Sequence, residues 1–176
     1  MMKRLSVLAA VLAFFVAGCG SSSTSPTTTP TATGKPLFSA VLLPANEVPP
    51  VTNAEATVNG TVAITLDTTK DAAGNITAAT ATFNVTLGGF PAGSSVTAAH
   101  IHEGASTCAC PVIVSLALGA GEVSVANGLA SFTKTSINVS PEVAQRLLTN
   151  PAGFYFNVHS PLNGGGFARG TLVRTQ

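Results

Sequence analysis

The strongest constraint on the fold is a period-two alternation of apolar and polar residues. From Gly60 to Leu66, Val62, Ile64 and Leu66 alternate with Thr61, Ala63 and Thr65. From Ile76 to Leu87, Ala79, Ala81, Phe83, Val85 and Leu87 share one parity. Successive side chains of a strand point to opposite faces, so both stretches read as strands with one buried face. Leu37–Leu42, Val96–His102, Val112–Leu116, Gly128–Thr135, Phe154–His159 and Phe167–Val173 read as further strands. Turn-rich segments separate them: Pro44 to Val51 with its Pro49-Pro50 pair, Asp67 to Asn75, and Gly88 to Gly93. One segment departs from this pattern. Ser140 can cap a helix, Pro141 suits its first position, Glu142 favours its positive end and Pro151 stops it. The expected fold is all-β, an antiparallel Greek-key-like sandwich or barrel with one short helix near residues 141–149.

The same alternation organises the histidines. His100 and His102 flank Ile101, so on a strand both imidazoles face one way while Ala99 and Ile101 face the core. The third histidine, His159, ends the Phe154–His159 strand. Imidazoles at i and i+2 on one strand can chelate a single ion, and His159 on a neighbouring strand would complete a three-nitrogen site. Glu103 faces away and reads as a rim group. Two readings stand side by side: a metal site formed by His100, His102 and His159, with copper a candidate, or three histidines that brace loops through hydrogen bonds.

The N-terminus is of a different kind. Lys3 and Arg4 precede an apolar run from Leu5 to Val16, the length of a signal-peptide core and too short to span a bilayer comfortably. The run ends in Val16-Ala17-Gly18-Cys19, which resembles a bacterial lipobox. That resemblance implies a signal peptide over 1–18 and lipidation of Cys19; an ordinary secretory signal is the other reading. Gly20, in place of an aspartate, favours the outer membrane or cell surface over the inner membrane. Ser21 to Gly34 is almost entirely Ser, Thr, Pro and Ala, so 19–35 is expected to be a disordered tether and 36–176 the folded domain. The expected location is the cell envelope, with the membrane a partner through Cys19.

Charge narrows the function classes. The chain has eight Lys and Arg against seven Asp and Glu, and removal of Lys3 and Arg4 leaves a net charge of −1. No basic patch points to nucleic acid. No Gly-x-Ser-x-Gly, paired carboxylates or phosphate loop points to a hydrolase or nucleotide enzyme, so no catalytic residue is assigned. With Cys19 lipidated, Cys108 and Cys110 remain. They are read as a disulfide, as free thiols or as thiolate ligands for a soft metal. Glu47 and Arg169 lie in nearly uncharged segments at opposite ends of the domain and pair as a candidate structural ion bridge, or stand as two solvated charges.

Four motifs, taken in order, point to a family. Asn46-Glu47-Val48-Pro49-Pro50, Ala99-His100-Ile101-His102-Glu103-Gly104, Phe156-Asn157-Val158-His159-Ser160 and Ala168-Arg169-Gly170-Thr171-Leu172 resemble the CHRD domain, a chordin-type module, over Pro36 to Val173. The resemblance implies an all-β extracellular module; the first functional reading is a non-enzymatic module that binds an envelope or extracellular partner of unknown identity. Chordin's growth-factor partners do not transfer to a bacterial chain. Two segments differ from the family pattern: Ala105 to Cys110 replaces a glycine-rich turn, and Gly164 to Ala168 lacks an acidic residue before the Arg-Gly pair. His100-x-His102 with a late histidine is also similar, more distantly, to the copper-binding strands of copper–zinc superoxide dismutase. That likeness implies a copper-dependent oxidoreductase as the alternative function, with the bridging and zinc ligands missing.

Overall fold

A computed structural model describes residues 34–105 and 107–176. The expected signal peptide, Cys19 and most of the expected tether lie outside the described residues. Nine strands and one α-helix form two antiparallel sheets packed face to face. The strands are β1 (Leu37–Leu42), β2 (Asn59–Lys70), β3 (Ile76–Gly88), β4 (Ala98–Glu103), β5 (Val112–Ser115), β6 (Leu129–Val139), β7 (Phe154–His159), β8 (Ala168–Thr171) and β9 (Val173–Arg174). One sheet has the order β6-β3-β2-β1-β9 and the other β5-β4-β7-β8. The domain is therefore an open sandwich, not a closed barrel.

The alternating residues form the layer between the sheets. Val62, Ile64 and Leu66 of β2 and Ala79, Ala81, Phe83, Val85 and Leu87 of β3 are buried. Ala99 and Ile101 of β4 and Phe154, Phe156 and Val158 of β7 face them from the second sheet. Phe83 and Phe156 stack across the layer with ring centroids 5.9 Å apart. Burial of an aromatic side chain at this depth is among the largest single contributions to a core of this size.

Most strand ends fall within two residues of the sequence reading, and three differences are larger. The β2–β3 hairpin extends to Lys70, so its loop is short, and Asp71 closes it by accepting from the backbone N–H groups of Ala73 and Asn75. β6 runs on to Val139. The expected final strand, Phe167–Val173, is two strands in different sheets. β8 pairs with β7, and the chain crosses at buried Leu172 so that β9 pairs with β1. Leu172 is the pivot: its N–H still donates to the Phe154 carbonyl of β7 at 2.9 Å while its side chain is fully buried, and the next residue pairs with β1.

Helix α1 (Pro141–Thr149) forms as its caps require. The Ser140 hydroxyl accepts from the Val143 N–H at 3.3 Å, and Val143, Ala144 and Leu147 are buried. Its exposed Arg146 makes a two-pronged ion pair with Glu103 at the end of β4, at 2.7 and 2.8 Å.

Candidate metal centre

The outer face of the second sheet is a polar layer. In β4 and β7 the residues opposite to the core side are His100 and His102, and Tyr155, Asn157 and His159. In β8, Arg169 joins them beside Asn157. The register sets His102 against Tyr155, His100 against Asn157 and Ala98 against His159. Loops cover this face, so His102 and His159 are buried and His100 is partly so.

The three imidazoles meet. One ring nitrogen from each of His100, His102 and His159 lies within 4.8 Å of the others. His100 Nδ1 is 3.1 Å from His159 Nε2. The remaining nitrogens show which lone pairs face the cluster. His159 Nδ1 contacts the Gly164 carbonyl at 3.0 Å, and His102 Nδ1 contacts the Cys110 carbonyl at 2.7 Å. A carbonyl only accepts, so both rings carry their proton on Nδ1 and present an Nε2 lone pair. His102 Nε2 is buried without a hydrogen-bond partner. His100 Nδ1 then donates to His159 Nε2, and a shift of that proton to the far side of the His100 ring yields three inward lone pairs.

The electrostatics favour neutral rings. Burial, with His159 and His102 nearby, pushes His100 down to about 4. Burial likewise lowers His102 and His159, against the upward pull of their carbonyl partners, and Arg169 adds to the lowering at both. At neutral pH all three are uncharged donors.

Spacing is compatible with an ion. Metal–imidazole bonds of about 2.0–2.1 Å place neighbouring ligand nitrogens about 3.0–3.4 Å apart and opposed ones about 4.1 Å apart. The His100–His159 distance matches the first, and a small side-chain rotation brings the widest pair into range. Backbone carbonyls already fix two of the three tautomers, which is how imidazole ligands are commonly oriented.

A second network supports the cluster. Arg169 Nε and Nη2 both donate to Glu47 Oε2, at 2.7 and 2.6 Å, and its Nη1 donates to the Cys108 carbonyl at 2.7 Å. Both partners are buried, so Glu47 and Arg169 are an internal ion pair and not two solvated charges. Burial raises the Glu47 carboxyl while Arg169 draws it back. The guanidinium lies over the Tyr155 ring at 4.7 Å, and His102 stacks on Tyr155, nearly parallel, also at 4.7 Å. His102 and Arg169 come from the strands on either side of β7, so Tyr155 is sandwiched between them.

Cys108 and Cys110 form a disulfide. Their sulfurs pack against Gly104, where φ is 140° and a Cβ would collide with both. Glu103 turns away to Arg146 and is not part of the cluster.

Tyr155, Asn157 and the Cys110 and Gly164 carbonyls are parts of this site that the motifs did not single out. Tyr155 and Asn157 share the parity of His159, so period-two alternation alone was enough to place them on its face. Backbone carbonyls carry no such signal.

The CHRD domain family model matches residues 38–172, which span every strand from β1 to β8 apart from its first residue. The chain belongs to the CHRD domain family. No curated protein and no solved structure is significantly similar to it. In this CHRD domain the family's four motifs converge on one layer: Glu47 from the first, His100 and His102 from the second, His159 from the third and Arg169 from the fourth. The loops around Cys110 and Gly164 supply the carbonyls to His102 and His159.

Proposed function

We propose that this CHRD domain is an extracytoplasmic binding module, lipid-anchored through Cys19, that holds a copper ion with His100, His102 and His159. The observation that carries the metal reading is the inward-facing, buried and unpartnered Nε2 of His102, in a cluster where carbonyls hold the Nδ1 atoms of His102 and His159. A bracing role alone uses one nitrogen per ring and gives no reason to bury the second lone pair beside two others. An all-imidazole, uncharged donor set suits copper first and zinc after it in affinity. No acidic group enters the cluster, which disfavours magnesium or calcium. Bound copper would supply Lewis acidity and one-electron redox chemistry; the three histidines would hold and orient it.

The anchoring reading rests on the lipobox-like Val16-Ala17-Gly18-Cys19 and the tether that follows. Several acyl chains give stable membrane attachment, each buried CH₂ adding about 0.8 kcal/mol.

The test is full-length protein expressed in a bacterium, fractionated and assayed for copper and zinc per chain. Expected are recovery in the membrane fraction, loss of that recovery in Cys19→Ser, and one copper per chain that His100→Ala/His102→Ala abolishes. Equal metal content in the double variant would refute the site. Superoxide dismutation by the copper form, absent in the variant, would move the reading from binding module to redox enzyme.

A further inference from the structure

We propose that the Cys108–Cys110 disulfide is a redox gate on the three-histidine site: the oxidised ring holds the site in its metal-ready form, and reduction by a dithiol lowers its affinity. The inference rests on the metal reading above and adds its control.

Three backbone polar atoms of the bridged cysteines are used by the polar layer: two in the ring and one, the Cys110 carbonyl, directly after it. The Cys108 carbonyl accepts from Arg169 Nη1 at 2.7 Å and from the Tyr155 hydroxyl at 3.1 Å. The Cys110 N–H donates to the Tyr155 oxygen at 3.1 Å. The Cys110 carbonyl accepts from His102 Nδ1 at 2.7 Å. The ring therefore sets the tautomer of His102 directly, and fixes the Tyr155 ring on which His102 stacks. A cross-link between residues two apart fixes the Cys108 carbonyl and the Cys110 N–H relative to each other, and the Cys110 carbonyl, just beyond the ring, is held between that anchored Cα and Pro111. Without it, the hydrogen bonds to Arg169, Tyr155 and His102 are all that hold Cys108 and Cys110 in place, with no covalent link between the two residues.

The bond is also reachable. Cys108 and Cys110 are only partly buried, and Ala105, Thr107 and Ala109 beside them are exposed. A thiolate of an external dithiol attacks one sulfur and forms a mixed disulfide. Its second thiol resolves that intermediate. One S–S bond is lost in the protein and one forms in the reductant; two electrons and two protons pass to Cys108 and Cys110. His102 Nδ1–H then faces a mobile acceptor, and its Nε2 is no longer held toward the cluster. Loss of a partner that orients a ligating histidine costs about 10–100-fold in metal affinity.

The test compares zinc affinity by chelator competition in three forms of the full chain: oxidised, phosphine-reduced, and Cys108→Ser/Cys110→Ser. Zinc is used because it does not itself exchange electrons with thiols. Expected is 10–100-fold weaker binding in the second and third forms. A metal-free readout accompanies it: ¹⁵N shifts of His102 should report a single Nδ1–H tautomer when oxidised and a mixture when reduced. Unchanged affinity in both altered forms overturns the gate. Tighter binding by the reduced chain but not by the serine variant also overturns it, since the thiolates would then be ligands. If the oxidised chain binds no more zinc or copper than His102→Ala, the metal reading falls and takes the gate with it. Should the serine variant fold poorly, the reduced chain and the ¹⁵N shifts decide.

Discussion

Replacing Arg169 by methionine removes the guanidinium while filling most of its volume. Glu47 would be left 4% exposed with no cation on Oε2, and its Oε1 has no hydrogen-bond partner even in the native protein. Breaking one side of a buried ion pair costs about 3–5 kcal/mol, most of it the price of the charge left behind. With about 2.1 cal/mol/K of unfolding entropy per residue, a domain of about 140 residues loses about 0.3 kcal/mol per degree near its midpoint. The expected fall in Tm is therefore about 10–17 °C, read by circular dichroism at pH 7. Two further results follow from the mechanism. The orphaned carboxyl can escape by taking a proton, so the deficit narrows as the pH is lowered toward the carboxylate range. Glu47→Gln/Arg169→Met should lose less than the two single changes summed, because the uncompensated charge is gone. An Arg169→Met protein that melts within about 3 °C of the native one, or a double variant that is simply additive, would refute the reasoning.

Stability should also depend on pH through the histidines. All three are lowered in the folded chain, so the unfolded chain, with imidazoles near 6.5, binds protons that the fold excludes. Stability is then level above about pH 6.5 and declines as the pH falls toward 4, where His100 begins to accept a proton; urea midpoints at pH 7 and 5 should show it, and His100→Ala/His102→Ala should flatten the slope. In the core, Phe83→Ala should cost about 3–5 kcal/mol, because it empties the contact with Phe156 that joins the two sheets; a loss below about 1 kcal/mol in urea unfolding would mean the sheets repack around the gap.

The extent to which the sequence disclosed this structure follows from where each interaction is encoded. Period-two alternation is written in side chains, so the strands carrying Val62 to Leu66 and Ala79 to Leu87, and the outward turn of His100 and His102, were legible. The α1 helix was legible for a similar reason, since Ser140, Pro141 and Glu142 act within a few residues of one another. The split of the last strand was not. Phe167 to Val173 reads as one extended run, and only the long-range pairing of β9 with β1 makes it two. The Glu47–Arg169 bridge stood out because the segments around both residues are almost free of other charge. The disulfide was one of three open readings, because two cysteines two apart are compatible with each until the loop conformation is known.

The site also shows what its two covering loops must provide. What His102 and His159 require from their loops is a carbonyl at about 2.7–3.0 Å, and any residue can supply one. The two histidines thus read the backbone of these loops and not its side chains, provided the backbone is delivered to the same place. Two devices meet that condition here. In the first loop a covalent ring closes over Gly104. In the second, Gly166 takes φ 121° at a point where a Cβ would run into Asn157 and Glu47. The second loop therefore rests on the same carboxylate that Arg169 holds, and Arg169 in turn holds the first loop through the Cys108 carbonyl. Glu47 and Arg169 consequently set both loops at once, so damage to this pair should reach the histidines as well as the melting temperature.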